Sequence, residues 1–225
     1  MRFKPFYRRN LPHIQPAGFI FFITTRLAGS LPRSVTRRIG QKFTHDQELI
    51  ETIQDPDEKY VQQCLLREKH VTRIDDALHK IENGPMYLAD PNVACAFIDQ
   101  LRRFDQQFYD LIAFSVMPNH VHFLIDTRIQ MKEVENRFIV PEDYFNLDQI
   151  LKRIKGASAR EANLVLNRTG KFWQSESFDV YIRNENMYWN IIRYILMNPV
   201  KAGIVEQWRD HPFTWVCGEC DPRNS

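Results

Sequence analysis

The sequence predicts an α+β fold built on one antiparallel sheet. An isolated run rich in Phe, Ile and Thr, Gly18 to Leu27, reads as a buried strand. Two further apolar runs, Leu111 to Val116 and His120 to Asp126, flank a Pro118-Asn119 turn and read as a hairpin. Stretches with helical apolar spacing lie between and after them, giving the order strand, helix, hairpin, helix, strand, helix.

Along the chain, Pro16 and Gly29 bound the first strand, and residues 45 to 54 suit a short helix. Asp55 can cap the next helix, with Pro56 in its first turn and Glu58 completing a D-x-x-E box. Val61, Leu65, Val71, Ile74, Leu78 and Ile81 supply its apolar spacing, and Asn83-Gly84 its stop. Asp90-Pro91 opens another helix to about Phe104 by the same logic. After the hairpin, 127 to 146 reads as irregular, and a basic helix runs from about Leu147 to Leu166. Arg168-Thr-Gly170 is a turn, Phe172 to Arg183 contains a strand, and Asn184 caps a long helix that ends at Pro199. The whole is read as a single domain, 1–225, with a helical insertion at about 44–88 and a short tail from about 216.

Net charge is only +2, but it is unevenly spread. Residues 1 to 45 carry nine Arg or Lys and no acid, 46 to 100 carry twelve acids against five bases, and 151 to 173 carry six bases against Glu161. Two basic zones separated by an acidic one suit a polyanion such as nucleic acid. Gly18 to Thr25 is too short to span a bilayer and is closed by Arg26, and the N-terminus has no secretory pattern, so a cytoplasmic protein without a membrane partner is expected. Cys217-Gly-Glu-Cys220 has metal-knuckle spacing, but no second CxxC or His pair accompanies it, so two reduced thiols are expected.

Two features carry chemistry. In His120-Val121-His122, residues i and i+2 of a strand project from one face, so both imidazoles can meet one metal ion; alone, the pair equally describes two hydrogen-bonded surface histidines. Tyr194 and Asn198 stand four apart on a helix and share a face; a tyrosine can act as nucleophile and an Asn oxygen can ligate a metal. Alone, they equally describe a half-buried tyrosine beside a helix-ending Asn, whose place before Pro199 disfavours helical backbone.

Several segments occur together in order: Leu11-Pro12-His13, Phe22-Ile23-Thr24, Met117 to His122 (MPNHVH), Lys155 to Glu161 (KGASARE), Phe172-Trp173-Gln174, and Tyr194 to Gly203 (YILMNPVKAG). As a set, from about Arg8 to Trp215, they resemble the REP-associated tyrosine transposases of the HUH endonuclease superfamily. The resemblance implies a ferredoxin-like antiparallel sheet with packed helices. It also implies a divalent metal ion, Mg²⁺ or Mn²⁺, on His120, His122 and Asn198, with Tyr194 as the nucleophile. The substrate it implies is single-stranded DNA with a hairpin, nicked and rejoined through a 5′-phosphotyrosine link. No nucleotide cofactor is needed, because the link conserves the phosphodiester energy, and one chain can supply tyrosine and histidines together, so a monomer is expected. Arg8, Arg9, Lys152, Lys155, Arg160, Arg168, Lys171, Trp173 and Gln174 are the candidate DNA contacts: the bases for phosphates, Trp173 and Gln174 for an unpaired base, with Trp173 equally readable as a core aromatic.

Tyr188 is the first rival to Tyr194, and Tyr181 the next. The chain departs from the resemblance at Asp179-Val180, where family members often have Asp-His. That departure supports an alternative, a hairpin-binding relative that does not cut. A phosphodiesterase using water and a plasmid-type replication initiator are the remaining alternatives; Tyr194 counts against the first, and the absence of a helicase or origin-binding domain in the sequence against the second.

Overall fold

The computed structural model describes residues 6–8, 12–80 and 84–221. The chain forms two compact units, Met1–Leu27 with Met86–Ser225, and Ala28–Pro85.

The first unit is an α+β domain around a five-stranded antiparallel sheet of order β8-β3-β5-β4-β9. The strands are β3 (Ile20–Arg26), β4 (Asp110–Val116), β5 (His120–Asp126), β8 (Phe178–Tyr181) and β9 (Thr214–Val216). A small pair, β1 (Phe6–Arg8) and β2 (Pro12–Ile14), precedes them, and an exposed hairpin, β6 (Lys132–Val134) and β7 (Arg137–Ile139), follows β5. The helices of this unit are α3 (Pro91–Phe104), α4 (Leu147–Val165) and α5 (Glu185–Lys201). Without β9, the strand order β8-β3-β5-β4 and the chain order β3-α3-β4-β5-α4-β8 are those of a ferredoxin-like fold. The fold class expected from the sequence is thus the one observed.

Both faces of the sheet are covered, which explains why β5 is buried along its whole length. Val121, Phe123 and Ile125 of β5 join Phe21 and Ile23 of β3 in a core with Phe97 and Leu101 of α3 and Ile150 and Ile154 of α4. Phe97 meets Phe123 edge-on at 5.9 Å between ring centres, and Trp173 at 5.2 Å. Helix α5 packs on β4, β5 and β9, against the opposite face. Asp90, Asn146 and Asn184 cap α3, α4 and α5 by accepting from the backbone N–H of Asn92, Gln149 and Met187.

The second unit is a helical hairpin of α1 (Arg33–Glu51) and α2 (Pro56–His79). Asp55 caps α2 through the Glu58 N–H at 2.8 Å, the Phe43 ring lies tilted against His70 at 4.6 Å, and Arg73 pairs with Asp46 at 2.9 Å. Helix α1 is much longer than the expected 45–54 segment. It begins after Pro32 and holds Arg33, Arg37, Arg38 and Lys42 exposed on its surface. On α2, Val61 and Leu65 are 52% and 50% exposed, whereas Cys64, Val71 and Leu78 are buried. The buried stripe therefore runs at steps of seven from Cys64, not from Val61. Helix α2 ends at His79, and the expected stop at Asn83 lies partly outside the described residues. Among the described residues, no helix is long and apolar enough to cross a membrane.

Two further departures concern the first unit. Residues 127 to 146 were expected to be irregular, yet they hold the β6–β7 hairpin, closed by Glu135 and Asn136 at φ 50° and 61°. Positive φ at both central residues matches the twist a two-residue hairpin turn requires, and Asn tolerates it. Helix α5 was expected to stop at Pro199, but it runs on to Lys201. Gly203 closes it at φ 68°, with Ala202 N–H donating to Asn198 O at 3.0 Å and Ile204 N–H to Pro199 O at 3.0 Å. A proline two residues from a helix end forfeits one backbone hydrogen bond without forcing the last turn open.

Because Phe123 is fully buried between two packed layers, Phe123→Ala is expected to destabilise the protein by about 3–5 kcal/mol in urea unfolding.

Candidate active site

The face of the sheet beneath α5 gathers the polar side chains that the sequence singled out. Strands β3 and β5 pair over seven residues, from Ile20↔Asp126 to Arg26↔His120, with Thr24↔His122 and Thr25↔Val121 between. Alternation puts Val121 into the core and turns both His120 and His122 to the α5 face. Their ring centres are 4.8 Å apart, and both residues are buried.

Each imidazole is held at Nδ1. The Asn119 side-chain oxygen accepts from His120 Nδ1 at 2.6 Å. An amide oxygen only accepts, so Nδ1 carries the hydrogen, and in the neutral ring Nε2 is the acceptor nitrogen. His122 Nδ1 is bonded to the Thr24 hydroxyl at 2.8 Å. On the other side of His122, its cross-strand partner Ser115 shares a hydrogen bond with Thr214 at 2.9 Å, and Thr214 with His211 Nδ1 at 2.8 Å. Burial lowers the pKa of His211 and favours its neutral form. Two imidazoles each held by an oxygen partner at Nδ1 and turned to one face could offer their second nitrogens to a metal ion.

Helix α5 brings the remaining groups. The Tyr194 ring lies edge-on to His122 at 5.5 Å and to Phe22 at 5.8 Å, and is partly accessible. Asn198, one turn on, is fully buried and stays helical in spite of Pro199. The structure thus joins Tyr194 to the His120–His122 face, across more than seventy residues of sequence. The rivals lie elsewhere. Tyr188 shares a hydrogen bond with Cys220 Sγ at 3.0 Å, and its pKa is raised by burial and by that bond. Tyr181 pairs with Phe21, on the opposite sheet face, and meets Phe19 edge-on at 5.5 Å. Cys217 and Cys220 are unpaired by disulfide, and burial with the Cys220 contact pushes the Cys217 thiol up to about 12.

Val180 is the cross-strand partner of Phe22 and so points to the same face as His122. The position where a histidine often stands in the resembled family therefore lies on this face, and here it is an apolar, buried side chain. Asp179 points the other way and accepts from Gln15 Nε2 at 3.2 Å.

The candidate DNA contacts divide by environment. Lys152, Arg160 and Lys171 are exposed. Lys152 and Lys171, with Phe172 and Gln174, line a cavity of about 380 Å³ between α4 and the segment before β8. Lys155 lies in the same place, but its ammonium donates to Gln174 O at 2.7 Å, Ser175 O at 3.2 Å and Ser177 Oγ at 2.9 Å. Those three donations use all its hydrogens and pin the segment to α4. Arg168 lies over the Tyr87 ring at 4.6 Å and donates to Lys171 O. Trp173 is only 5% exposed, and its Nε1–H donates to Ser158 Oγ at 3.0 Å, so its ring is a core aromatic. Arg9 lies outside the described residues, and Arg8 is described only by its place in β1.

Two residues of this face escaped the sequence reading. Thr24 orients His122, and Arg26 is the cross-strand partner of His120, with a pKa lowered by burial. Their parity with Phe22 was legible, but the register that sets them beside the histidines was not.

No protein-family model matches the chain. A curated protein of Haemophilus influenzae, "Putative REP-associated tyrosine transposase", is 26% identical over 106 residues, 47% of this chain. The match spans 58% of the length of that relative. A solved structure of a REP-associated tyrosine transposase bound to a REP hairpin aligns over 92% of this chain and 80% of its own, at 18% identity and a TM-score of 0.46. The chain is similar to REP-associated tyrosine transposases.

Thr24→Val removes the hydroxyl that holds His122 Nδ1 and is expected to weaken Mn²⁺ binding roughly 10-fold in calorimetric titration. Lys155→Met is expected to lower unfolding free energy by about 1–2 kcal/mol through the loss of its three hydrogen bonds.

Proposed function

We propose that the protein is a single-tyrosine transposase that nicks and rejoins single-stranded DNA beside a hairpin. The carrying observation is the contact of Tyr194 with His122, on a sheet face that holds His120 and His122 side by side and lies beneath a helix bearing buried Asn198. The similarity to the Haemophilus influenzae protein supports the same reading.

Tyr194 supplies the nucleophile. Its phenol oxygen forms a bond to the scissile phosphorus while the bond to the 3′ oxygen breaks. The phenol gives up its proton, the 3′ oxygen leaves with the electron pair and takes up a proton, and the phosphate remains joined to the 5′ oxygen of the DNA and to the enzyme. Attack by a 3′-hydroxyl reverses the step, so strands rejoin without a nucleotide cofactor. His120, His122 and Asn198 are the residues that would hold a divalent ion, Mn²⁺ or Mg²⁺, and the mixed nitrogen and oxygen set suits Mn²⁺ well. When bound, such an ion supplies Lewis acidity toward a phosphate oxygen. Asn119 and Thr24 each hold one ring by its Nδ1, and Phe22 excludes water from one side of the Tyr194 ring. Exposed Lys152, Arg160 and Lys171 offer phosphate contacts and Gln174 a base contact, with Arg8 and Arg9 as further basic candidates.

A second reading, a hairpin-binding protein that does not cut, is favoured by Val180, an apolar side chain at a position of this face where the resembled family often has a histidine. A labelled single-stranded hairpin oligonucleotide, incubated with the protein and Mn²⁺ or Mg²⁺, separates the two. The expected outcome is a covalent protein–DNA adduct on a denaturing gel, abolished by Tyr194→Phe and retained by Tyr188→Phe. Binding without an adduct would establish the second reading, and cleavage without an adduct a hydrolase.

A further inference from the structure

Helix α5 continues through Pro199, so Tyr194, Asn198 and Lys201 stand at i, i+4 and i+7 and share one face. Lys201 Nζ lies 4.8 Å from the centre of the Tyr194 ring. The residue is exposed in the last turn of the helix, where a cation also meets the negative end of the helix dipole. Among the described residues Lys201 has no carboxylate partner.

We infer that Lys201 is a catalytic residue whose ammonium contacts the phosphate attacked by Tyr194. This rests on Tyr194 being the nucleophile. A phosphodiester brings a negative charge to the phenol oxygen, and that charge opposes the approach of a nucleophile. Attack redistributes the charge over the phosphoryl oxygens, where a placed cation stabilises it more than in bulk water. The aromatic ring face holds the ammonium beside the phenol before DNA arrives. The flexible four-carbon stem then lets it turn from the ring to a phosphoryl oxygen at the ring's edge. An exposed cation over one ring does little for stability, so removing it is compatible with a folded protein. Lys201 differs in this from Lys155, whose ammonium is committed to the backbone of its own fold.

The test uses the full chain and the hairpin oligonucleotide, first to map the cleaved linkage and then with that linkage replaced by an uncharged methylphosphonate. Lys201→Met is expected to form the Tyr194 adduct about 100-fold more slowly than the wild type at saturating phosphodiester DNA. Lys201→Arg is expected to recover most of that loss, and melting temperatures to stay unchanged. On the methylphosphonate, Lys201→Met is expected to react at least as fast as the wild type, because no charge remains to be neutralised. Equal rates on the phosphodiester would overturn the inference. So would an equal deficit on both linkages, which would make Lys201 a support for the ring alone, or failure of Lys201→Met to react with the neutral linkage. If the wild type forms no adduct at all, the nucleophile reading fails and this inference with it; an adduct at Tyr194 that is indifferent to Lys201 removes only the latter.

Discussion

The seven-residue pairing of β3 with β5 is the constraint on which the rest of the site depends. It sets Thr24 opposite His122 and Arg26 opposite His120, and it places Val121, Phe123 and Ile125 in the core. Side chains alternate along a strand, so a slip of one residue would exchange the two sets. The imidazoles would enter a core of Phe97, Leu101 and Ile154, and three apolar side chains would face α5. Burying two imidazoles without partners costs several kcal/mol, and losing the aromatic contact of Phe97 with Phe123 costs about 1 kcal/mol more. Core packing therefore enforces the orientation of the histidines, and the site gains its rigidity from the hydrophobic side of the same strand.

The second contribution is α5. It covers the polar face of the sheet and delivers Tyr194, Asn198 and Lys201 from successive turns. Its Asn184 cap, its passage through Pro199 and its Gly203 terminator together fix where the helix begins and ends. Since helical phase is rigid over so few turns, fixing the ends also fixes which side chains face His122. Thr24 and Asn119, from two different segments, complete the arrangement by turning each imidazole about its own ring axis.

Charge in this protein is divided between structural and surface work. The ammonium of Lys155 is spent on three oxygens of the segment before β8, and Arg168 is laid over Tyr87 and Phe172. Lys152, Arg160 and Lys171 remain exposed around them. A basic stretch of sequence thus holds both the pins that shape a cavity and the cations that rim it. The net charge of +2 conceals this arrangement, because the acids are concentrated elsewhere in the chain.

By itself the sequence determined most element types and the fold class, because these follow from local signals: apolar runs in β3, β4 and β5, Pro118-Asn119 between paired strands, and Asp, Asn and Pro at helix starts. It also determined that His120 and His122 share a face and that Tyr194 and Asn198 share another, since these are properties of a single strand and a single helix. It missed the true length of α1, the β6–β7 hairpin and the last turn of α5, where termini depend on a few weak and competing terms. Only the tertiary structure decided that the two faces meet, that Thr24 is the partner of His122, that Trp173 is buried and that Lys155 is already occupied. Those facts depend on register and packing between segments distant in sequence, and such pairing leaves no periodic trace in one chain read alone.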